Sequence, residues 1–137
     1  MKNSLYRWSA IGLLSLASSI MAVVIVSSVF ISCKKTETKY VPTLTTATIT
    51  DITSTSATAG GQITDNGGED IIVSGVVYST STGPTLLNSF TTDGTTSGSF
   101  TSGLSELTAN TTYYVRAYAT NGAGTAYGDE VSFTTLP

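Results

Sequence analysis

The densest cluster of side chains able to bind anything is the run Asp65-Asn66-Gly67-Gly68-Glu69-Asp70. Calcium takes carboxylate and amide oxygens of this kind. The spacing is not that of an EF-hand loop, however, and Asp, Asn and Gly are ordinary turn formers. Turn chemistry is therefore the expectation, with Asp65, Glu69 and Asp70 as the candidate cation ligands. A second constellation is Tyr114, Arg116 and Tyr118 at alternate positions. Aromatics around one arginine suit a sugar- or protein-binding stripe. The expectation is the plainer one, cross-strand packing on a solvated sheet face, where Tyr and Thr are good strand formers. Catalysis has little to work with. Ser and Thr abound, but a nucleophile needs a partner base. The chain has no His. From Pro42 onward its sole basic residue is Arg116, which stays protonated. The carboxylates fall mainly in turns, with no convergent pair. Neither enzymatic activity nor a cofactor is expected. The single cysteine, Cys33, excludes an intrachain disulfide and a cysteine-based zinc site.

Charge narrows the partners. Charged residues make up only 11% of the 137, against about a quarter in ordinary globular chains. Thr, Ser and Gly take their place, as suits an all-β domain with many turns. Beyond Pro42, Arg116 stands against Asp51, Asp65, Glu69, Asp70, Asp93, Glu106, Asp129 and Glu130. Such a domain lacks the cations needed to neutralise phosphates, so nucleic acid is not an expected partner.

The N-terminal third reads as an address. Lys2 and Arg7 precede an uncharged run from Ser9 to Ser32, rich in Leu, Ile, Val, Ala and Ser. A positive start, an apolar stretch and a small residue before a cut site are the parts of a secretory signal. The run ends in Phe30-Ile31-Ser32-Cys33-Lys34-Lys35, which resembles the lipobox of bacterial lipoproteins. There the cysteine after a small residue is lipidated and becomes the new N-terminus. The resemblance implies a signal peptide over 1–32, lipid on Cys33, and a tether over 33–42. The run is also long enough to span a bilayer uncleaved. Either reading places the remainder outside the cytoplasm, beside a membrane. Fully extended, the nine residues after Cys33 reach about 30 Å.

The elements that must position everything else lie in 43–137. Strand-like runs alternate with turn signals at 46–52, 55–64, 71–79, 86–92, 97–104, 113–120 and 125–134, and none has helical periodicity. Gly60-Gly61 suggests a bulge or a close backbone approach, and Gly128 a bulge in the last strand. The clearest strand puts Tyr113, Val115, Ala117 and Ala119 on a buried face. Tyr114, Arg116, Tyr118 and Thr120 fall on the other. Seven strands in so short a length fit an immunoglobulin-like sandwich without a disulfide.

The segment Leu107-x-x-x-Thr111-x-Tyr113-x-Val115-x-Ala117-x-Ala119-x-Asn121 resembles the sixth strand of a fibronectin type III domain. Gly75-Val-Val-Tyr78, Gly98-Ser-Phe100, Gly124-Thr-Ala-Tyr-Gly128 and Phe133-Thr-Thr135 resemble the variant of that fold common in envelope proteins of Bacteroidetes-type bacteria. The resemblance implies an all-β, seven-stranded fibronectin type III-like sandwich over 43–137. It also implies a tyrosine corner made by Leu107 and Tyr113. The tryptophan usual on the second strand is absent, and Ala57, Ala59 and Gly60 stand there. Tyr78 is the aromatic expected to fill that space.

The function these readings imply is that of a non-catalytic envelope lipoprotein, of the outer membrane, displaying one module for protein or glycan binding or adhesion. The alternative is a structural spacer or an assembly subunit, built through edge strands that lack Lys and Pro. In the fold it resembles, the 65–70 and 121–124 loops lie at the N-terminal pole, which a tether this short is expected to turn toward the membrane. A large partner is expected instead at the far pole, near Ser54, Gly83-Pro84 and 106–110, or on the exposed sheet faces.

Overall fold

The computed structural model describes residues 36–137. The apolar run 9–32 and Cys33 lie outside the described residues. Eight strands form: β1 (Thr43–Thr46), β2 (Ala57–Asp65), β3 (Val73–Ser79), β4 (Ser89–Phe90), β5 (Gly98–Leu104), β6 (Thr112–Asn121), β7 (Gly124–Tyr127) and β8 (Val131–Thr134). No helix occurs among them. One sheet runs β1-β2-β5; the other has five strands, β4-β3-β6-β7 with β8 also on β6. All pairings within strands are antiparallel. Residues 43–137 form an all-β, fibronectin type III-like sandwich.

Its core follows from period-two patterning. Val115, Ala117 and Ala119 of β6 are fully buried, and Tyr113 nearly so. They meet Ala57, Ala59 and Ile63 of β2 and Val76 of β3. Gly61 permits the two sheets to close: a Cβ there would lie 2.6 Å from the Ala117 Cβ and 2.7 Å from the Thr45 carbonyl oxygen. Among the described residues no buried side-chain polar atom lacks a hydrogen-bond partner.

Strand ends moved where local hydrogen bonds outcompeted the alternation. The first strand was expected over 46–52, yet it begins at Thr43, because Leu44 is buried opposite Ile63. Past Thr46 the chain keeps to β2 only through Ala47 N–H to Gly60 O and the Thr50–Thr58 bridge. The strand expected over 86–92 shrinks to β4. Asn88 N–H donates to the Thr85 carbonyl, and its Oδ1 accepts from Thr85 N–H, so a turn takes up 85–88. The last strand, expected over 125–134, divides into β7 and β8. Tyr118 pairs with Tyr127 and Val115 with Val131, so Arg116 and Ala117 face the longer stretch of Gly128, Asp129 and Glu130. This is a one-residue bulge. The Ala117 N–H at the bulge donates instead to Thr46 Oγ1 of the opposite sheet, at 2.9 Å.

The loop leading into β6 is fixed by side chains. Leu107 is buried, and its N–H donates to the Thr55 carbonyl at 2.9 Å. The Tyr113 hydroxyl accepts the Thr108 N–H at 3.0 Å. The Tyr113 ring stacks on Phe133 with centroids 5.8 Å apart and lies 6.4 Å from the tilted ring of Tyr78. Tyr78 is half-buried against the same cluster.

The expected tether over 33–42 is not free along its whole length. Tyr40 N–H donates to the Gly67 carbonyl at 3.1 Å. The buried amide of Asn121 donates to the Tyr40 and Asn66 carbonyls at 2.7 and 2.8 Å. Gly67, at φ 74°, is required here: a Cβ would strike the Tyr40 carbonyl. Residues 39–41 therefore belong to the body of the domain.

Candidate functional site

The acidic loop of 65–70 spends its oxygens on itself and on the incoming chain. Asp65 Oδ1 accepts Gly67 N–H at 2.7 Å, and Asp65 Oδ2 accepts the Tyr40 hydroxyl at 3.2 Å. Glu69 pairs with Lys39. No group of three or more His, Cys, Asp or Glu that could hold a metal ion exists among the described residues. Asp65, Glu69 and Asp70 are thus not gathered around one point. Asp65 and Glu69 instead hold Tyr40 and Lys39 of the incoming chain. The charge of Asp65 also raises the Tyr40 phenol above its ordinary pKa, with their hydrogen bond adding to the shift.

The outward row of β6 is packed, and at Tyr118 the face is covered where a solvated one is expected. Tyr118 is 1% exposed. Its hydroxyl donates to the Thr91 carbonyl at 2.7 Å, and Phe90 stands edge-on to its ring. Arg116 Nε donates to the Gly128 carbonyl at 3.0 Å, and its guanidinium lies 4.9 Å from the centre of the Tyr127 ring. Phe90 of β4 and Thr91 just after it thus cover Tyr118, and beside them lies the loop between β3 and β4. Its Pro84 is buried, Gly83 N–H donates to the Glu130 carboxylate, and Leu86 N–H to the Tyr127 hydroxyl. The Gly83-Pro84 turn, expected at the far pole, is folded back onto this face. The row is not an open binding stripe.

Two hydroxyls meet at the carboxylate of Asp93. Ser102 donates to Asp93, and Thr91 Oγ1 also donates to Asp93, at 2.7 Å. Ser102 is wholly buried on β5, so no substrate reaches it. Thr91 also receives the Val76 N–H at 3.0 Å on Oγ1, so the group ties β5 of one sheet to β3 of the other.

What remains open is a cleft of about 580 Å³ at the far pole, where β3 ends and the β5–β6 loop begins. Tyr78 and Tyr113 line it together with Leu87, Asn88, Ser89 and Glu106. Leu87 is 96% exposed. Glu106 holds a left-handed backbone, φ 58°, which costs a non-glycine residue about 1–2 kcal/mol. Its carboxylate has no hydrogen bond or ion pair among the described residues, and the hydroxyls of Tyr78 and Ser89 make none either. Glu106 was legible in the sequence as part of a far-pole turn. Tyr78, Asn88 and Ser89 were not legible as lining. A second depression, of about 440 Å³, sits at the opposite pole over Lys39, Glu69 and Ile72, where the carboxylate is already paired.

No protein-family model and no curated protein matches the chain. Solved structures do. A myokine structure is 18% identical, with 72% of this chain and 99% of that one covered, at a TM-score of 0.53. The sensor domain of the anti-sigma factor RsgI4 of Pseudobacteroides cellulosolvens is also 18% identical, over 71% and 96%, at 0.52. The fourth fibronectin type III domain of a human protein is 20% identical, over 72% and 79%, at 0.52. At such identities the likeness establishes the fold: a fibronectin type III-like sandwich, found in bacterial and in human proteins alike.

Proposed function

We propose that the chain is a non-catalytic lipoprotein of a bacterial cell envelope, attached to the outer membrane through lipid on Cys33. It presents one β-sandwich as a binding module, with the far-pole cleft as its working surface. One observation carries the placement of that surface. The chain enters at Lys39–Tyr40, beside Asn121 at the end of β6, while the cleft lies at the start of that strand. Ten residues of extended chain separate the two poles by about 30 Å. A module clamped at one end to its anchor turns the other end away from the membrane. The non-catalytic part rests on the absence of His and on the burial of Ser102, the serine that meets Asp93.

The test uses isotope-labelled full chain in detergent micelles, screened by two-dimensional NMR against a mixed set of oligosaccharides and peptides. Ligand-induced shifts clustered around Tyr78, Asn88 and Glu106 support the reading. Shifts confined to 65–70, or none, overturn it.

The assembly alternative has its own observation. β5 pairs with β2 along seven residues, has no strand on its other side among the described residues, and carries neither a charge nor a proline. Such an edge is open to pairing with a second chain. Sedimentation of the full chain and of Thr101→Lys, whose side chain is exposed mid-strand, distinguishes the two. A monomer in both favours the binding module; an oligomer dispersed by the lysine favours assembly.

A further inference from the structure

We propose that the far-pole cleft binds a short segment of a neutral oligosaccharide, seated against Tyr78 and Tyr113 and held by Glu106, Asn88 and Ser89. This rests on the binding-module reading and names its ligand class.

The cleft has the size of a small-ligand site, and its lining is mainly polar around the rings of two tyrosines. The floor is aromatic. The Tyr113 hydroxyl is committed to Thr108 N–H, so this residue offers only its ring. Tyr78 offers both a ring and an unengaged hydroxyl, an apolar body with a polar tip. Exposed Leu87 adds apolar surface at the rim. A pyranose presents the complement: a face of C–H groups and an edge of hydroxyls.

The walls are lined by neutral donors and acceptors. Asn88 Oδ1 is used by Thr85 N–H, which leaves both Nδ2 protons to donate outward. The hydroxyls of Ser89 and Ser105 are each able to donate and accept, and neither is engaged within the described chain. Glu106 is an acceptor alone. Its backbone is held in the left-handed turn by the Leu107 N–H bond to Thr55, so the carboxylate stands on a rigid support.

Charge decides between ligand classes. Glu106 is the only charged residue lining the cleft, and the domain around it is acidic. An anionic polysaccharide or a phosphate would be repelled. A basic peptide would gain one exposed ion pair, worth about 0–1 kcal/mol. It would leave most of the neutral hydrogen-bonding groups unused. A neutral polyhydroxylated chain uses them all.

The experiment titrates labelled full chain in micelles with cellopentaose, mannopentaose and chitopentaose, with hexagalacturonate as the anionic probe and pentalysine as the basic peptide. The expected result is saturable shifts at Tyr78, the Asn88 side-chain amide, Ser89 and Ser105 with at least one neutral sugar. Glu106→Gln keeps the shape and should weaken that binding about tenfold or more, by loss of an ionised acceptor. Tyr78→Phe keeps the ring and the packing and should weaken it severalfold. A cleft that responds to pentalysine or hexagalacturonate and to no neutral sugar overturns the ligand class while leaving the binding module standing. Neutral sugars that shift resonances only elsewhere overturn the site. Unchanged affinity in both variants overturns the assigned contacts. Silence with all five probes overturns the proposal and counts against the module as well.

Discussion

The phenol of Tyr118 donates a 2.7 Å hydrogen bond to the carbonyl of Thr91, a residue 27 positions earlier that crosses above it. The bond closes the outer face of the larger sheet and explains how a tyrosine on the solvent side of β6 is almost completely buried. Removing the hydroxyl leaves the Thr91 carbonyl without this donor. Tyr118→Phe should cost about 1–2 kcal/mol in chemical denaturation.

The same residue sets an alkaline limit. Burial is the main cause lifting the Tyr118 phenol above its ordinary pKa. The folded chain therefore holds this proton where the unfolded chain has released it. The resulting stability is complete below about pH 10, where the unfolded phenol titrates, and is lost as pH rises through the higher folded value. Denaturation midpoints measured from pH 8 to 11 should fall more steeply in wild type than in Tyr118→Phe. Tyr40, raised mainly by the charge of Asp65, declines in the same direction in both proteins.

Tyr113 and Leu107 hold the loop before β6. Tyr113→Phe leaves the Thr108 N–H without its acceptor, at a cost of about 1–2 kcal/mol. Leu107→Ala opens a cavity in the core and should cost more, about 2–5 kcal/mol. Equal stabilities of Tyr113→Phe and wild type in urea would show that the bond does not form.

Asn121 is the rivet between the incoming chain and the acidic loop. Its Nδ2 serves Tyr40 and Asn66, and its Oδ1 accepts the N–H groups of Ala123 and Gly124 at 2.9 and 3.1 Å. Asn121→Ala should destabilise by about 2–3 kcal/mol. It should also release residues 39–41, so that trypsin cuts after Lys39 faster than in wild type. Unchanged cleavage would mean that the backbone bond from Tyr40 to Gly67 suffices.

Cys33→Ser tests the anchor. It should leave an unprocessed precursor and abolish fatty-acid labelling, because stable membrane attachment needs two or more acyl signals on the chain. A mutant of unchanged size and labelling would favour an uncleaved spanning segment.

Much of the fold was legible because its signals are local. Strict alternation over 113–119, with Leu107 and Tyr113 six residues apart, is enough to define β6 and the corner before it. A period of two can satisfy only a strand buried on one face. Gly60-Gly61 and Gly128 were readable for a similar reason: a missing Cβ or a break in register constrains the backbone directly. Strand ends were less legible, since the Asn88–Thr85 turn and buried Leu44 depend on single residues that alternation does not weigh.

By itself, then, the sequence determined the all-β class, the core face of β6 and an acidic, histidine-free domain, since these follow from periodicity and composition. The tertiary structure alone decided the fate of Tyr118, because its cover is Phe90 and Thr91, which lie far earlier in the chain. It also decided that Asp65 and Glu69 bind Tyr40 and Lys39. And it alone made the cleft, whose wall residues come from 78–89 and from 105–113. Those segments meet only when the strands are folded against one another, and no local pattern encodes which side chains will face each other across a gap.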